Sequence, residues 1–228
     1  MDKAVPEMRI IARIKSDFKT KFGVPRQSGI VDELVSTIVF EPEYRVADAL
    51  RGIDGFSHLW LIWLFSESVR DGWSPTVRPP RLGGNTRMGV FATRSPFRPN
   101  EIGLSSVRLV GCDLDTPDGP VLYVAGADLM DGTPILDIKP YLPYTDSHPD
   151  ATGGFAPEKP QPKLSVIISD ELVKKVPDGK LESLKAVLAQ DPRPAYKGDS
   201  DRVYGLPFAG RDVKFKVGDG VLTVTGIE

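Results

Sequence analysis

The 228-residue chain contains one cysteine, Cys112, and two histidines, His58 and His148. A lone cysteine excludes an internal disulfide and any cysteine-based metal cluster, and its apolar neighbours mark Cys112 as a small core side chain. His58 has no second histidine near it, so it reads as a hydrogen-bonded structural residue, and no metal site is expected. No G-x-G-x-x-G follows a strand, no P-loop lysine motif occurs, and the G-x-S-x-G elbow is missing, so neither a Rossmann fold, a P-loop NTPase nor an α/β-hydrolase is indicated. Long hydrophobic runs are absent too. The longest, FSHLWLIWLF at 56–65, is far too short to span a bilayer, and the N-terminus has no signal-peptide h-region, which points to a cytoplasmic protein. Internal repeats and low-complexity tracts are lacking. The net charge is only −2, so total charge carries no nucleic-acid signal.

The distribution of charge is more informative. Residues 78–105, RPPRLGGNTRMGVFATRSPFRPNEIGLS, hold Arg78, Arg81, Arg87, Arg94 and Arg98 but no lysine, and their only acid is Glu101. Arginine presents a planar fork that grips carboxylate or phosphate bidentately. The glycines and prolines between the arginines suit rigid loops in which backbone approaches a ligand closely. This is a basic patch on a mildly acidic protein, a footprint for an anion or RNA.

Strands dominate the first part of the chain. They are expected at 8–14, 30–40, 56–65, 88–92, 104–110, 121–125 and 135–138, with a basic loop at 16–26, a short helix at 44–50 and a strong turn at 115–119. The run 56–65 suits a strand buried on both faces or lying in a subunit interface, and its aromatics exceed what one thin wall needs to bury. APEKPQP at 156–162 reads as a linker. Beyond it come a strand at 164–168, a helix starting at Asp170 with Ser169 as cap, a second helix with Leu181, Leu184, Val187 and Leu188 on one face, and a hairpin at 213–227. The expected class is mainly β: a small antiparallel β-barrel over residues 1–156, then a small α+β C-terminal domain over 157–228.

What remains chemically is a pocket of arginine, aspartate and backbone. It suits a zwitterionic amino-acid ligand, with Arg on the carboxylate and Asp on the ammonium or on ribose hydroxyls, and equally a phosphate. PRQ at 25–27, GFSHLW at 55–60, RPPRLGGN at 78–85, GVFATRSPFRPN at 89–100, DGTPILDIKPY at 131–141 and DPRPAY at 191–196 together resemble the TsaA-like family. These are S-adenosylmethionine-dependent tRNA methyltransferases acting on threonylcarbamoyladenosine beside the anticodon. The resemblance runs from about residue 8 to the C-terminus. It implies a non-Rossmann barrel that binds S-adenosyl-L-methionine, usually as a homodimer, and transfers its methyl group to the exocyclic N6 of the modified adenosine.

Carried over by motif, the cofactor contacts are Pro25, Arg26, Gln27, Ser66, Glu67, Arg94, Leu104, Asp128, Leu129, Met130 and Asp131. Ser66 stands where the family often has histidine, and Glu101 where it often has proline. The target nitrogen is a poor nucleophile, so a carboxylate that accepts its proton helps, with Asp131 and Asp137 as candidates. RNA contacts are expected at Arg78, Arg81 and Arg98, and in the C-terminal domain at Arg193, Tyr196 and Lys197. Since every cofactor motif precedes 150, a chain ending at Pro157 is expected to fold and bind the cofactor. Two other readings fit the same residues: a non-catalytic RNA-binding module, and a regulator that senses the cofactor without transferring its methyl group.

Overall fold

Side chains along a strand alternate between two faces, so a strand with apolar residues at every second position can wall a core. The structure, a computed structural model, describes residues 7–69, 72–193 and 202–228. Its first eight strands are β1 (Ala12–Lys15), β2 (Val35–Phe40), β3 (His58–Leu64), β4 (Thr76–Val77), β5 (Met88–Gly89), β6 (Ile102–Asp113), β7 (Val121–Ala125) and β8 (Pro134–Pro140). Six of them close into an antiparallel barrel in the order β1-β2-β7-β6-β3-β8, and β4 and β5 form a separate two-stranded ladder. The inward row includes Ile14, Ile38, Leu59, Leu61, Trp63, Val107, Leu122, Val124 and Ile135, all buried in one core. The closed antiparallel barrel is the fold expected from the sequence.

Several local expectations change. The strand expected at 88–92 ends after Gly89, and Val90–Ala92 is a 3₁₀ turn. The helix expected at 44–50 is two short 3₁₀ turns, Pro42–Tyr44 and Ala47–Leu50. In β3 only one row is fully buried, because Leu59, Leu61 and Trp63 point inward while the alternate residues are half-covered. The excess of aromatics is accommodated within the chain itself. The Trp60 indole N–H donates to Asp146 Oδ2 at 2.9 Å, and its ring lies 5.7 Å from that of Tyr141.

After the irregular stretch at 156–162, β9 (Ser165–Ile167), β10 (Tyr204–Phe208), β11 (Arg211–Gly218) and β12 (Val221–Ile227) form a second sheet in the order β10-β11-β12-β9, with β9 parallel to β12. Helix α3 (Leu181–Ala189) supplies Leu184, Val187 and Leu188 to its core; it follows the short α1 (Pro143–Asp146) and α2 (Asp170–Val173). That core is not built from the C-terminal part alone. The connection between β1 and β2, residues 16–34, contributes Phe18, Val31 and Leu34 to it. The Phe18 ring meets Phe208 edge-on at 5.6 Å, the Ser183 hydroxyl donates to the Glu33 carbonyl at 2.6 Å, and Lys180 Nζ pairs with Asp17 at 2.7 Å. The basic loop expected at 16–26 and the first part of the strand expected at 30–40, which begins only at Val35, therefore form a strap between the barrel and the second sheet. Sequence missed this because its apolar residues are isolated among polar ones and show no period.

Candidate active site

The strap, the end of β3 and the loop between β7 and β8 meet around a cavity of about 210 Å³. Lys21 and Val24 come from the strap, Trp63 to Ser68 from β3 and the 3₁₀ turn after it, Asp128 to Met130 from the β7–β8 loop, and Pro96 and Thr133 complete the wall. Ser66, Glu67, Asp128, Leu129 and Met130, expected from motifs far apart in sequence, thus line one space.

Asp128 is the most perturbed group there. The Trp63 indole N–H donates to the Ser105 hydroxyl at 3.0 Å, and that hydroxyl donates to Asp128 Oδ1 at 2.6 Å. Burial pushes the Asp128 carboxyl above its ordinary value; the bond from Ser105, backbone bonds and the charge of Arg94 offset this only in part. Trp63 holds its place because Gly103 lies opposite it in β6. A Cβ at Gly103 would stand 2.3 Å from the indole ring. Neither Trp63 nor Ser105 was expected in the site. A signal existed, since alternation turns Ser105 inward between Gly103 and Val107, and a hydroxyl facing an apolar interior needs a polar partner.

None of the remaining expected contacts lines this cavity. Arg94 NH1 donates to Gln27 Oε1 at 2.8 Å, bringing two of them together. Pro25 is buried and Arg26 exposed on the same strap. Lys21 Nζ binds the Glu67 carbonyl and, at 3.0 Å, the Ser68 hydroxyl, so the strap also holds the turn that carries Ser66. Leu104 lies on the opposite face of β6 from Ser105, 50% exposed and outside the cavity lining.

Asp131 and Asp137 do not line the cavity. Asp131 Oδ1 accepts the Ser16 backbone N–H at 3.0 Å and its other oxygen is paired with Lys19, so it fastens the strap to the β7–β8 loop. Asp137, on β8, pairs with Lys139 at 2.9 Å and accepts the Ile138 N–H.

Among the expected RNA contacts, Arg78 and Arg81 are exposed, and Arg81 NH2 donates to the Glu158 carbonyl. Arg98 turns inward to the Thr93 and Ser95 carbonyls at 3.1 and 3.3 Å and braces its own loop. Arg193, expected at a phosphate, instead forms a two-pronged pair with Asp191 at 2.8 and 3.0 Å. Burial raises the Asp191 carboxyl, but the bonds and charge of Arg193 outweigh it and leave the group below its ordinary value. Tyr196 and Lys197 lie outside the described residues. Among the described residues, no group of three or more His, Cys, Asp or Glu is arranged to hold a metal ion, and no helix is long and apolar enough to cross a membrane.

The family model for the tRNA-methyltransferase O N-terminal domain matches residues 13–147, and that for the TrmO C-terminal domain matches 161–228. This chain belongs to the tRNA-methyltransferase O family. The "tRNA (adenine(37)-N6)-methyltransferase" of Escherichia coli K12 is 44% identical to it over 96% of each chain. The Eikenella corrodens protein of the same name is 46% identical over 75% of this chain and 97% of its own. A crystal structure titled TrmO from Pseudomonas aeruginosa superposes with a TM-score of 0.81 at 32% identity, covering 98% of each chain. In the terms of this family, the barrel with its cavity falls in the N-terminal model and the second sheet in the C-terminal one.

Proposed function

We infer that the chain is an S-adenosylmethionine-dependent tRNA methyltransferase that modifies the exocyclic N6 of the adenosine at position 37. The observation that carries this reading is the match to both family models in order, with 44% identity to the Escherichia coli enzyme along almost the whole length. The cavity residues suit the cofactor. Val24, Phe65, Leu129 and Met130 give an apolar lining, and one partly buried carboxylate, Asp128, faces a ligand that carries positive charge. At about 210 Å³ the cavity is smaller than the roughly 300 Å³ at which ligand pockets usually begin. The residues of this cavity, together with the neighbouring Gln27–Arg94 pair, would hold the cofactor.

When bound, the cofactor would supply a methyl group made electrophilic by its sulfonium sulfur, which keeps the electron pair of the broken S–CH3 bond and leaves as a neutral thioether. The residues of the chain position it and shape the electrostatics around it. Asp128, braced by Ser105, favours a cation beside it, and the apolar wall of Val24, Phe65, Leu129 and Met130 would exclude water from a bound ligand. As the new N–C bond forms, the target nitrogen must release its proton to an acceptor. The carboxylates on the cavity wall are Asp128 and Glu67. Asp131 and Asp137 reach a substrate only if it extends past their Lys19 and Lys139 partners.

The adenosine carries a threonylcarbamoyl group before methylation, and the enzyme works in the cytoplasm as a homodimer. The outer face of β3 and β6, with Ile62 opposite Leu104, is the surface we assign to the second copy. Leu104 points away from the cavity of its own chain, so any cofactor it contacts is the partner's. On the RNA side, the exposed Arg78 and Arg81 take phosphates, while Arg193 is held by its pair with Asp191.

Transfer of isotope-labelled methyl from S-adenosylmethionine to tRNA tests the reading. Label is expected in tRNA that carries the threonylcarbamoyl group. The absence of label in every tRNA, from protein that binds the cofactor, would overturn the enzyme reading in favour of a sensor.

A further inference from the structure

Residues 72–98 contain five arginines and no aspartate, glutamate or lysine. The chain there projects as the β4–β5 ladder, with Thr76 opposite Gly89 and Val77 opposite Met88. Just past the ladder, the Val90 N–H donates to the Pro75 carbonyl at 2.9 Å and the Val90 side chain is buried. That anchor turns the next side chain outward. Phe91 is 72% exposed, and its ring stacks on that of Trp73, itself 52% exposed, with centroids 6.0 Å apart at 29°. Exposed large aromatics in contact are an apolar surface whose hydration is costly, and such patches mark binding sites.

The lobe is rooted at the cavity. Ser68 lines the cavity shortly before Trp73, and Pro96 lines it shortly after Phe91. Its arginines are not all engaged alike. Arg94 and Arg98 are bonded to Gln27 and to loop carbonyls, whereas Arg78 is exposed and Arg87 makes one long bond, 3.4 Å, to the Thr76 hydroxyl.

We propose that Trp73 and Phe91 form a platform on which unpaired bases of the RNA substrate stack, with Arg78 and Arg87 on the neighbouring phosphates. The proposal rests on the reading of the chain as a tRNA methyltransferase and assigns where that substrate is held. Aromatic faces beside arginines are the chemistry of single-stranded RNA recognition, because every base has a π-face and every nucleotide a phosphate. A base presented for chemistry must leave its stack, and a platform on the lobe rooted at the cavity compensates its neighbours for the stacking they lose. A second copy of the chain is the competing occupant. Charge decides against it, since a two-fold contact of this face with itself sets arginine against arginine with no acid in the lobe to offset them.

The test uses the full-length protein and an anticodon stem-loop RNA. Trp73→Ala and Phe91→Ala together are expected to weaken RNA binding about tenfold or more, with the salt dependence of binding unchanged. They should raise the KM for tRNA far more than they lower kcat, and leave S-adenosylmethionine affinity alone. Trp73→Phe should restore most of the RNA affinity. Arg78→Ala with Arg87→Ala should instead flatten the salt dependence. Wild-type RNA affinity in the double aromatic variant would overturn the platform, as would loss of self-association in that variant with RNA binding retained. RNA affinity is read independently of methylation, so failure of the wild-type protein to methylate tRNA would count against the enzyme reading and leave the comparison of variants intact.

Discussion

Asp128 shows how one side chain can oppose stability and serve binding. Its folded value is raised, so its contribution to stability is fully present below its unfolded value and is lost as pH rises through the folded one. Wherever the carboxyl is ionised, its burial is a cost to the ligand-free protein. Asparagine keeps an oxygen that accepts the Ser105 hydroxyl and removes the charge. Asp128→Asn is therefore expected to melt at a higher temperature than wild type without ligand, and to bind S-adenosylmethionine more weakly by roughly 1.5–3 kcal/mol, the worth of a charged hydrogen bond. In wild type, cofactor affinity should fall as pH is lowered through the raised value, because the neutral acid no longer attracts a cation; in the variant this dependence should vanish. Thermal melts and calorimetry over a pH series check both, and equal cofactor affinity in the two proteins would remove Asp128 from the site. Arg94→Ala, which also strips Gln27 of its 2.8 Å partner, should lose a similar amount of binding energy in the same assay.

At the scale of elements, the strap decides how far the chain can be divided. Deleting everything after 156 would uncover Phe18, Val31 and Leu34, which are buried against β10, β11 and α3. The same strap carries Lys21 and Val24 on the cavity wall and Gln27 beside it. A chain ending at Pro157 is now expected to lose S-adenosylmethionine binding, against the expectation from motif positions alone. Phe18→Ala in the full chain should cost about 3–5 kcal/mol of stability and weaken cofactor binding with it, measured by denaturant melts and calorimetry. A truncated protein that folds and binds the cofactor at full affinity would show that the strap holds its shape without the second sheet. This coupling also marks the limit of what the sequence displays. A nearly continuous apolar run exposed β3, apolar stretches flanking a strong turn exposed β6 and β7, alternation exposed the β11–β12 hairpin, and the long motifs located the β7–β8 loop and the turn at Ser66. The roles of Phe18, Val31, Ser105 and Gly103 depend on what each meets across the fold, and neither periodicity nor local propensity carries that information.

For the whole molecule, the outer face of β3 and β6 leaves Leu104 50% exposed while Trp60 is satisfied within the chain. The self-association we propose would therefore rest on Leu104 and Ile62, not on the tryptophans. Sedimentation at micromolar concentration should give about twice the 24.9 kDa of one chain, and Leu104→Glu should shift it to the single-chain mass. A wild-type protein that sediments as a monomer would contradict this assembly. The central claim concerns chemistry, and the most direct measurement is nucleoside mass spectrometry of threonylcarbamoyl-modified tRNA incubated with the protein and S-adenosylmethionine. The modified adenosine is expected to gain one methyl group, at N6, with wild-type protein and to gain it far more slowly with Asp128→Asn at low cofactor concentration. Recovery of that nucleoside unchanged, from a reaction in which the wild-type protein binds both cofactor and tRNA, would contradict the account.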